Sequence, residues 1–114
     1  MAIANIYLMF DGNCEEAFNY YQTVFGGSFS YVGRYGDLPS LEGFPVLADV
    51  EKNKIENICL PISKETFLMG SDLISSFGKE FKLGNNFSVY LEAQNMEEAD
   101  SLFNGLSKDG VKSM

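Results

Sequence analysis

Histidine is absent from this 114-residue chain. That excludes Ser-His-Asp and Cys-His arrangements, imidazole acid–base chemistry, and every zinc site that needs imidazole. Cysteine is almost absent: Cys14 and Cys59 are the only 2. Two thiols make neither a disulfide framework nor an all-thiolate tetrahedral zinc site. Neither has a C-x-x-C partner, so both read as small apolar residues on core faces in a reduced, cytoplasmic setting. Basic residues are scarce, 8 Lys plus Arg against 16 Asp plus Glu, and the net charge is −8. Such a surface repels a phosphate backbone or an anionic membrane, and no Lys/Arg cluster offsets it, so neither is expected as a partner. No apolar run reaches the roughly 18 residues of a membrane span. No basic stretch precedes the N-terminal apolar run, as a signal peptide requires. Tryptophan is missing, yet 10 Phe, 6 Tyr and a 46% hydrophobic content allow a single domain with a real core.

What is present is written twice. "FDGNCEEAFNYYQTVFGG" begins at Phe10, and "YLEAQNMEEADSLF" begins at Tyr90. Both contain N-x-E-E-A just after an alternating apolar run. In the first copy, Ile3 to Phe10 reads as a strand, with Ile6, Leu8 and Phe10 on one face and Tyr7 and Met9 on the other. Asp11-Gly12 is a turn signal. Asn13 is a candidate N-cap, with Glu16 in capping-box position. Cys14, Ala17, Phe18, Tyr21, Val24 and Phe25 then recur at helical spacing, and Gly26-Gly27 ends the helix. Ser28 to Arg34, Ile55 to Ile62 and Phe67 to Ser71 read as further strands, with Gly36 to Lys54 mostly loop. The second copy puts Phe87, Val89 and Leu91 on an alternating strand, followed by Asn95 as cap and Glu98 as its box partner. Ala99, Leu102, Phe103 and Leu106 form the helical stripe, and Asp109-Gly110 ends it. Strand, helix phase and helix length all repeat, which favours duplication over a chance cap motif.

These readings give an α+β chain: a single domain over 1–114, with module one at 1–74, a polar linker at 75–86 and a partial module two at 87–114. Module one has three strands after its helix. Module two has only the start of one, at Val111 to Met114. An open sheet edge is a liability, so a further tail is expected to supply the last strands, with pairing by another chain as the alternative.

Tandem βαβββ modules are the plan of the vicinal-oxygen-chelate superfamily, the glyoxalase/bleomycin-resistance/dioxygenase fold. The stretches "YLMFDGNCEEAFNYYQTVFGG", "LPISKETFLMGSD" and "GNNFSVYLEAQNMEEADSLFNGLSKDG" resemble one branch of it, the PhnB-like proteins often labelled 3-demethylubiquinone-9 3-methyltransferase. They cover about half of the chain. The resemblance implies sheets curled around a cavity with helices outside, and a homodimer.

Metal-dependent members of the superfamily place their first ligand seven residues before the helix cap. That count falls on Ile6 and Ser88, and neither is a competent ligand. The next ligand would lie within Thr66 to Ser71, which holds no carboxylate, His or Gln. No metal centre of the glyoxalase type and no other cofactor is therefore expected. Many PhnB-like relatives carry a His in the third strand, where this chain has Asn57. The methyltransferase label lacks a G-x-G turn between strand and helix. What remains is a candidate ligand-binding face of Ile6, Leu8, Phe10, Ser88, Tyr90 and Glu92, suited to a small, partly apolar molecule. Glu92 is its only acid and, with Tyr90, a candidate for metal-independent catalysis on a small carbonyl or aromatic compound. The bland readings are a solvated carboxylate and a packed phenol. A drug-sequestering dimer with an acidic, aromatic groove is a further alternative. Asp72 reads as a turn-capping residue and Arg34, the only arginine, as the partner of a surface acid.

Overall fold

In the first strand the alternating pattern decides a face. The computed structural model describes residues 2–38, 46–77 and 80–111. Strand β1 is Ile6–Phe10, helix α1 Cys14–Phe25, and strand β2 Tyr31–Arg34. Helix α2 is a single turn, Asp49–Lys52. Strands β3 and β4 are Ile55–Pro61 and Phe67–Asp72, and helix α3 is Met96–Ser107. Short 3-10 turns occupy Tyr35–Asp37 and Ser75–Phe77.

The sheet order is β1-β4-β3-β2. β1 runs parallel to β4, while β4–β3 and β3–β2 are antiparallel. Strand, helix and three strands thus make one βαβββ module, with α1 crossing from one sheet edge to the other. The apolar stripe of α1 lies on one sheet face. Cys14, Phe18, Ile55, Ile58, Leu60 and Leu68 form the core there, with Ile6, Leu8 and Phe10 packed against them. Phe18 sits edge-on to Phe10 and to Tyr21, with ring centroids 5.9 and 5.3 Å apart. Gly70 permits this approach: a Cβ there would lie 2.8 Å from the Phe18 ring and 2.9 Å from the Leu8 carbonyl.

Most elements expected from sequence are present, with β1, β2 and β3 shorter than expected and β4 one residue longer. β1 starts at Ile6 rather than Ile3, and β2 at Tyr31 rather than Ser28, because only those residues have ladder partners. The segment expected to be loop before Lys54 contains the 3-10 turn and α2, and its residues 39–45 lie outside the described residues. Phe87, Val89 and Leu91 do not form a strand; 87–93 is irregular. Alternation marks a chain suited to a sheet, but a strand also needs a neighbour's hydrogen bonds. α3 does form and, like α1, is 12 residues long. Val111 has no regular structure, and 112–114, like 78–79 of the linker, lie outside the described residues.

The two helix starts are built differently. Asn95 accepts a hydrogen bond from the Glu98 amide at 2.8 Å, as a cap should. Glu98 reaches back one residue further than a capping box requires, accepting from the Gln94 amide at 2.9 Å. Asn13 makes no side-chain cap. Asp72 does its work from 58 residues away, accepting from the Cys14 amide at 2.9 Å.

Candidate functional site

Helix α1 covers one face of the sheet, so the other face is where side chains remain available. Residues alternating with the core set point there: Tyr7 and Met9 from β1, Met69 and Ser71 from β4, Asn57 and Cys59 from β3, Tyr31 and Gly33 from β2. The Ser71 hydroxyl donates to Met9 Sδ at 3.3 Å, which fixes two of them side by side. Tyr7, Met9 and Tyr31 are 48, 45 and 50% exposed.

One residue breaks the alternation. Gly33 pairs with Asn57 and Arg34 with Ile55, leaving Glu56 as the extra residue of a bulge. Ile55 and Ile58 are both buried in the core under α1. Three positions separate them, so both intervening residues, Glu56 and Asn57, are set on the open side. Glu56 Oε2 and Asn57 Oδ1 are buried oxygens with no hydrogen-bond partner among the described residues. Tyr31 borders them. A Cβ on Gly33 would lie 2.6 Å from the Tyr31 hydroxyl oxygen, so that ring folds over the strand partner of Asn57.

One end of this face is closed. Tyr35 is buried, donates its hydroxyl to the Asp72 carbonyl at 2.7 Å, and packs on Phe77 with centroids 5.7 Å apart. Its pKa is raised, chiefly by burial and then by the neighbouring Tyr7, Asp72 and Glu56. Asp72 itself is 1% exposed. Its two carboxylate oxygens accept from the Cys14 and Ile55 amides, both at 2.9 Å, tying the starts of α1 and β3 to the end of β4. The sequence suggested a local turn cap; the carboxylate instead caps the starts of a helix and a strand that are distant in sequence. Arg34 pairs with Glu15 at 2.5 Å and donates to the Asn53 carbonyl at 2.8 Å.

The residues singled out from sequence are divided by the fold. Ile6, Tyr90 and Glu92 line a cleft of about 780 Å³ between α1, the 62–66 turn and α3, with Phe25, Lys64 and Glu97. Leu8 and Phe10 lie instead in the packing under α1. Ser88 is exposed and is not among the cleft's described lining residues. The cleft therefore opens on the helix side of the sheet. Counting back from the cap placed Ile6, Leu8 and Phe10 on the cavity face. In this sheet they turn toward the helix, and a one-residue difference in phase exchanges every side chain between faces. Glu92 is exposed.

Comparison with known proteins identifies the family. A family model described as 3-demethylubiquinone-9 3-methyltransferase matches residues 3–114. The chain belongs to this family. Protein YjdN of Escherichia coli (strain K12) is 31% identical over 109 residues, covering 91% of this chain and 71% of YjdN. The crystal structure of protein PA1353 from Pseudomonas aeruginosa superposes with a TM-score of 0.77 at 31% identity, covering 94% of this chain and 73% of that one. A PhnB protein from Bacillus cereus, described as a candidate 3-demethylubiquinone-9 3-methyltransferase, gives 0.64 at 25% identity, covering 93% and 74%.

Two groups implied by such relatives can be tested against this PhnB-like chain's residues. A glyoxalase-type metal needs imidazole or carboxylate donors on the first and last strands of the module. The open-face side chains there are Tyr7, Met9, Met69 and Ser71, a set that does not fit. A methyl donor bound at a strand-to-helix turn needs free amides at the helix start. In this PhnB-like fold the Asp72 carboxylate occupies the Cys14 amide, so that turn does not fit either.

Proposed function

We propose that this PhnB-like protein binds a small, partly apolar molecule against the open face of its sheet, without a glyoxalase-type metal centre. The observation that carries the reading is the surface itself. Three half-exposed side chains, Tyr7, Met9 and Tyr31, share this face with two buried oxygens, Glu56 Oε2 and Asn57 Oδ1, that have no hydrogen-bond partner among the described residues. Apolar walls with a few convergent polar groups are the usual make-up of a ligand site. Unpaired buried acceptors cost about 1–3 kcal/mol each, and a ligand donor recovers that. The two-module organisation, a homodimer and a cytoplasmic setting belong to the same proposal. Among the described residues no helix is long and apolar enough to cross a membrane. The exposure of Glu92 favours this reading over catalysis by a water-excluded base at the cleft.

The test uses Cys59, which is half-buried on the open face, whereas Cys14 is fully buried. Small aromatic compounds are screened for binding, and bound candidates for protection of Cys59 from alkylation. Protection that Tyr31→Ala weakens about tenfold supports the reading. Binders that leave Cys59 labelling unchanged, or stoichiometric metal in untagged protein purified without chelator, overturn it.

A further inference from the structure

Among the described residues, Glu56 on the open face makes no ion pair. Glu56 supplies a carboxylate with one buried oxygen that has no hydrogen-bond partner among the described residues, and its neighbour Asn57 supplies a second such acceptor. Both atoms accept and neither donates, so whatever completes them must bring hydrogens. The basic side chains nearest in sequence are spent elsewhere. Arg34 is held by Glu15 and the Asn53 carbonyl on the helix side. Lys54 donates its Nζ to the Gly12 carbonyl at 2.8 Å. Lys52 pairs with Asp49 at 3.3 Å. The tyrosines at the site add ring faces: Tyr31 over Gly33, half exposed, and Tyr7 across the sheet, 48% exposed. Such faces attract cations through the ring quadrupole. The net charge of −8 favours the approach of a cation over that of an anion.

We infer that the ligand of this face is a protonated amine, its ammonium group donating to Glu56 Oε2 and Asn57 Oδ1 and its apolar part lying against Tyr31 and Met9. The bulge is the device that builds the site, because regular pairing would place Glu56 and Asn57 on opposite faces. This assignment rests on the small-molecule reading above and narrows it to one chemical class. It involves no bond making or breaking.

The experiment is a charge series on one scaffold, with the full chain and backbone-amide NMR at neutral pH and constant ionic strength. The probes are phenethylammonium, 2-phenylethanol and phenylpropanoate, which share the phenethyl group. Phenethylammonium is expected to bind at least about tenfold more tightly than the alcohol, a difference of about 1.4 kcal/mol. Its shifts should fall on Tyr31, Glu56 and Asn57, including the Asn57 side-chain amide. Glu56→Gln should remove the preference for the amine and leave the alcohol's affinity unchanged. If that variant loses its dispersed spectrum, Asn57→Leu replaces it, and the wild-type charge series decides by itself. Equal binding of alcohol or carboxylate at these residues overturns the amine assignment and leaves the small-molecule reading intact. Amine shifts confined to Glu92 and Glu97 in the cleft overturn it as well. Absence of shifts on this face with all three probes overturns both.

Discussion

Asp72 is the residue on which most of module one depends. Its carboxylate accepts from two backbone amides, at the start of α1 and the start of β3. Asp72→Asn turns one acceptor into a donor facing an N–H. The expected loss is about 3 kcal/mol of unfolding free energy, measured by urea denaturation. Beneath it, Cys14 is pushed up to about 12, first by burial and then by Asp72 and Glu15. A raised pKa favours the protonated thiol in the fold. Its contribution to stability is therefore complete below the ordinary thiol value of 9.0 and is lost as pH climbs toward 12. Iodoacetamide at pH 8 should accordingly modify Cys59 in the native protein and reach Cys14 only after denaturation. Glu15 has the opposite sign: the bond from Arg34 holds its pKa below the usual 4.5, so that stability is present above 4.5 and fades as pH falls through the lowered value. The pair is half in solvent, 33 and 50% exposed, and Glu15→Gln should cost less than about 1 kcal/mol.

At the scale of elements, the two helix caps make a matched experiment. Asn95→Ala removes a real cap and should cost about 1 kcal/mol, whereas Asn13→Ala, with no side-chain bond to lose, should cost clearly less. The same denaturation curves read both. Sequence alone gave these residues equal roles, since N-x-E-E-A is identical in the two places. The difference arises from Asp72, a contact across 58 positions that no local pattern encodes. Phe18 and the core stripe of α1 were legible because a 3.6-residue period and a Gly-Gly stop leave little choice. The face of β1 was not. Alternation separates Ile6, Leu8 and Phe10 from Tyr7 and Met9, but both sets are apolar, and periodicity alone does not say which meets the helix. In the sequence Asn57 stands out only where PhnB-like relatives carry histidine, and Glu56 carries no signal, because a bulge is visible only once strands are paired. Gly70→Ala tests the packing that results: its Cβ would meet Phe18 and the Leu8 carbonyl, and a loss of about 1–3 kcal/mol is expected.

At the scale of the whole molecule, the chain is longer than a globule. Its radius of gyration is 16.1 Å, against about 13 Å for a compact domain of this length. The difference lies toward the C-terminal end, where Leu83, Phe87 and Tyr90 are 90, 67 and 83% exposed and 80–95 has no regular structure. α3 docks on α1, through Gly105 against Val24 and the Tyr20 hydroxyl donating to the Gly105 carbonyl at 2.6 Å. Hydrogen exchange should follow this division. Amides of β3 and β4 are expected to exchange slowest, those of α3 faster, and those of 80–95 fastest of all. Equal protection of α3 and β3 would show that the two parts open as one unit.

The bulge at Glu56 has a consequence best stated in terms of inheritance. Removing that residue would make Ile55, Asn57 and Ile58 alternate regularly, with both isoleucines still facing α1 and the β2–β3 ladder unbroken. An in-frame loss of one codon would thus mend the strand rather than break it. A lineage free to discard Glu56 has a simple route to do so, and descendants that keep the extra residue are retaining something the sheet does not require.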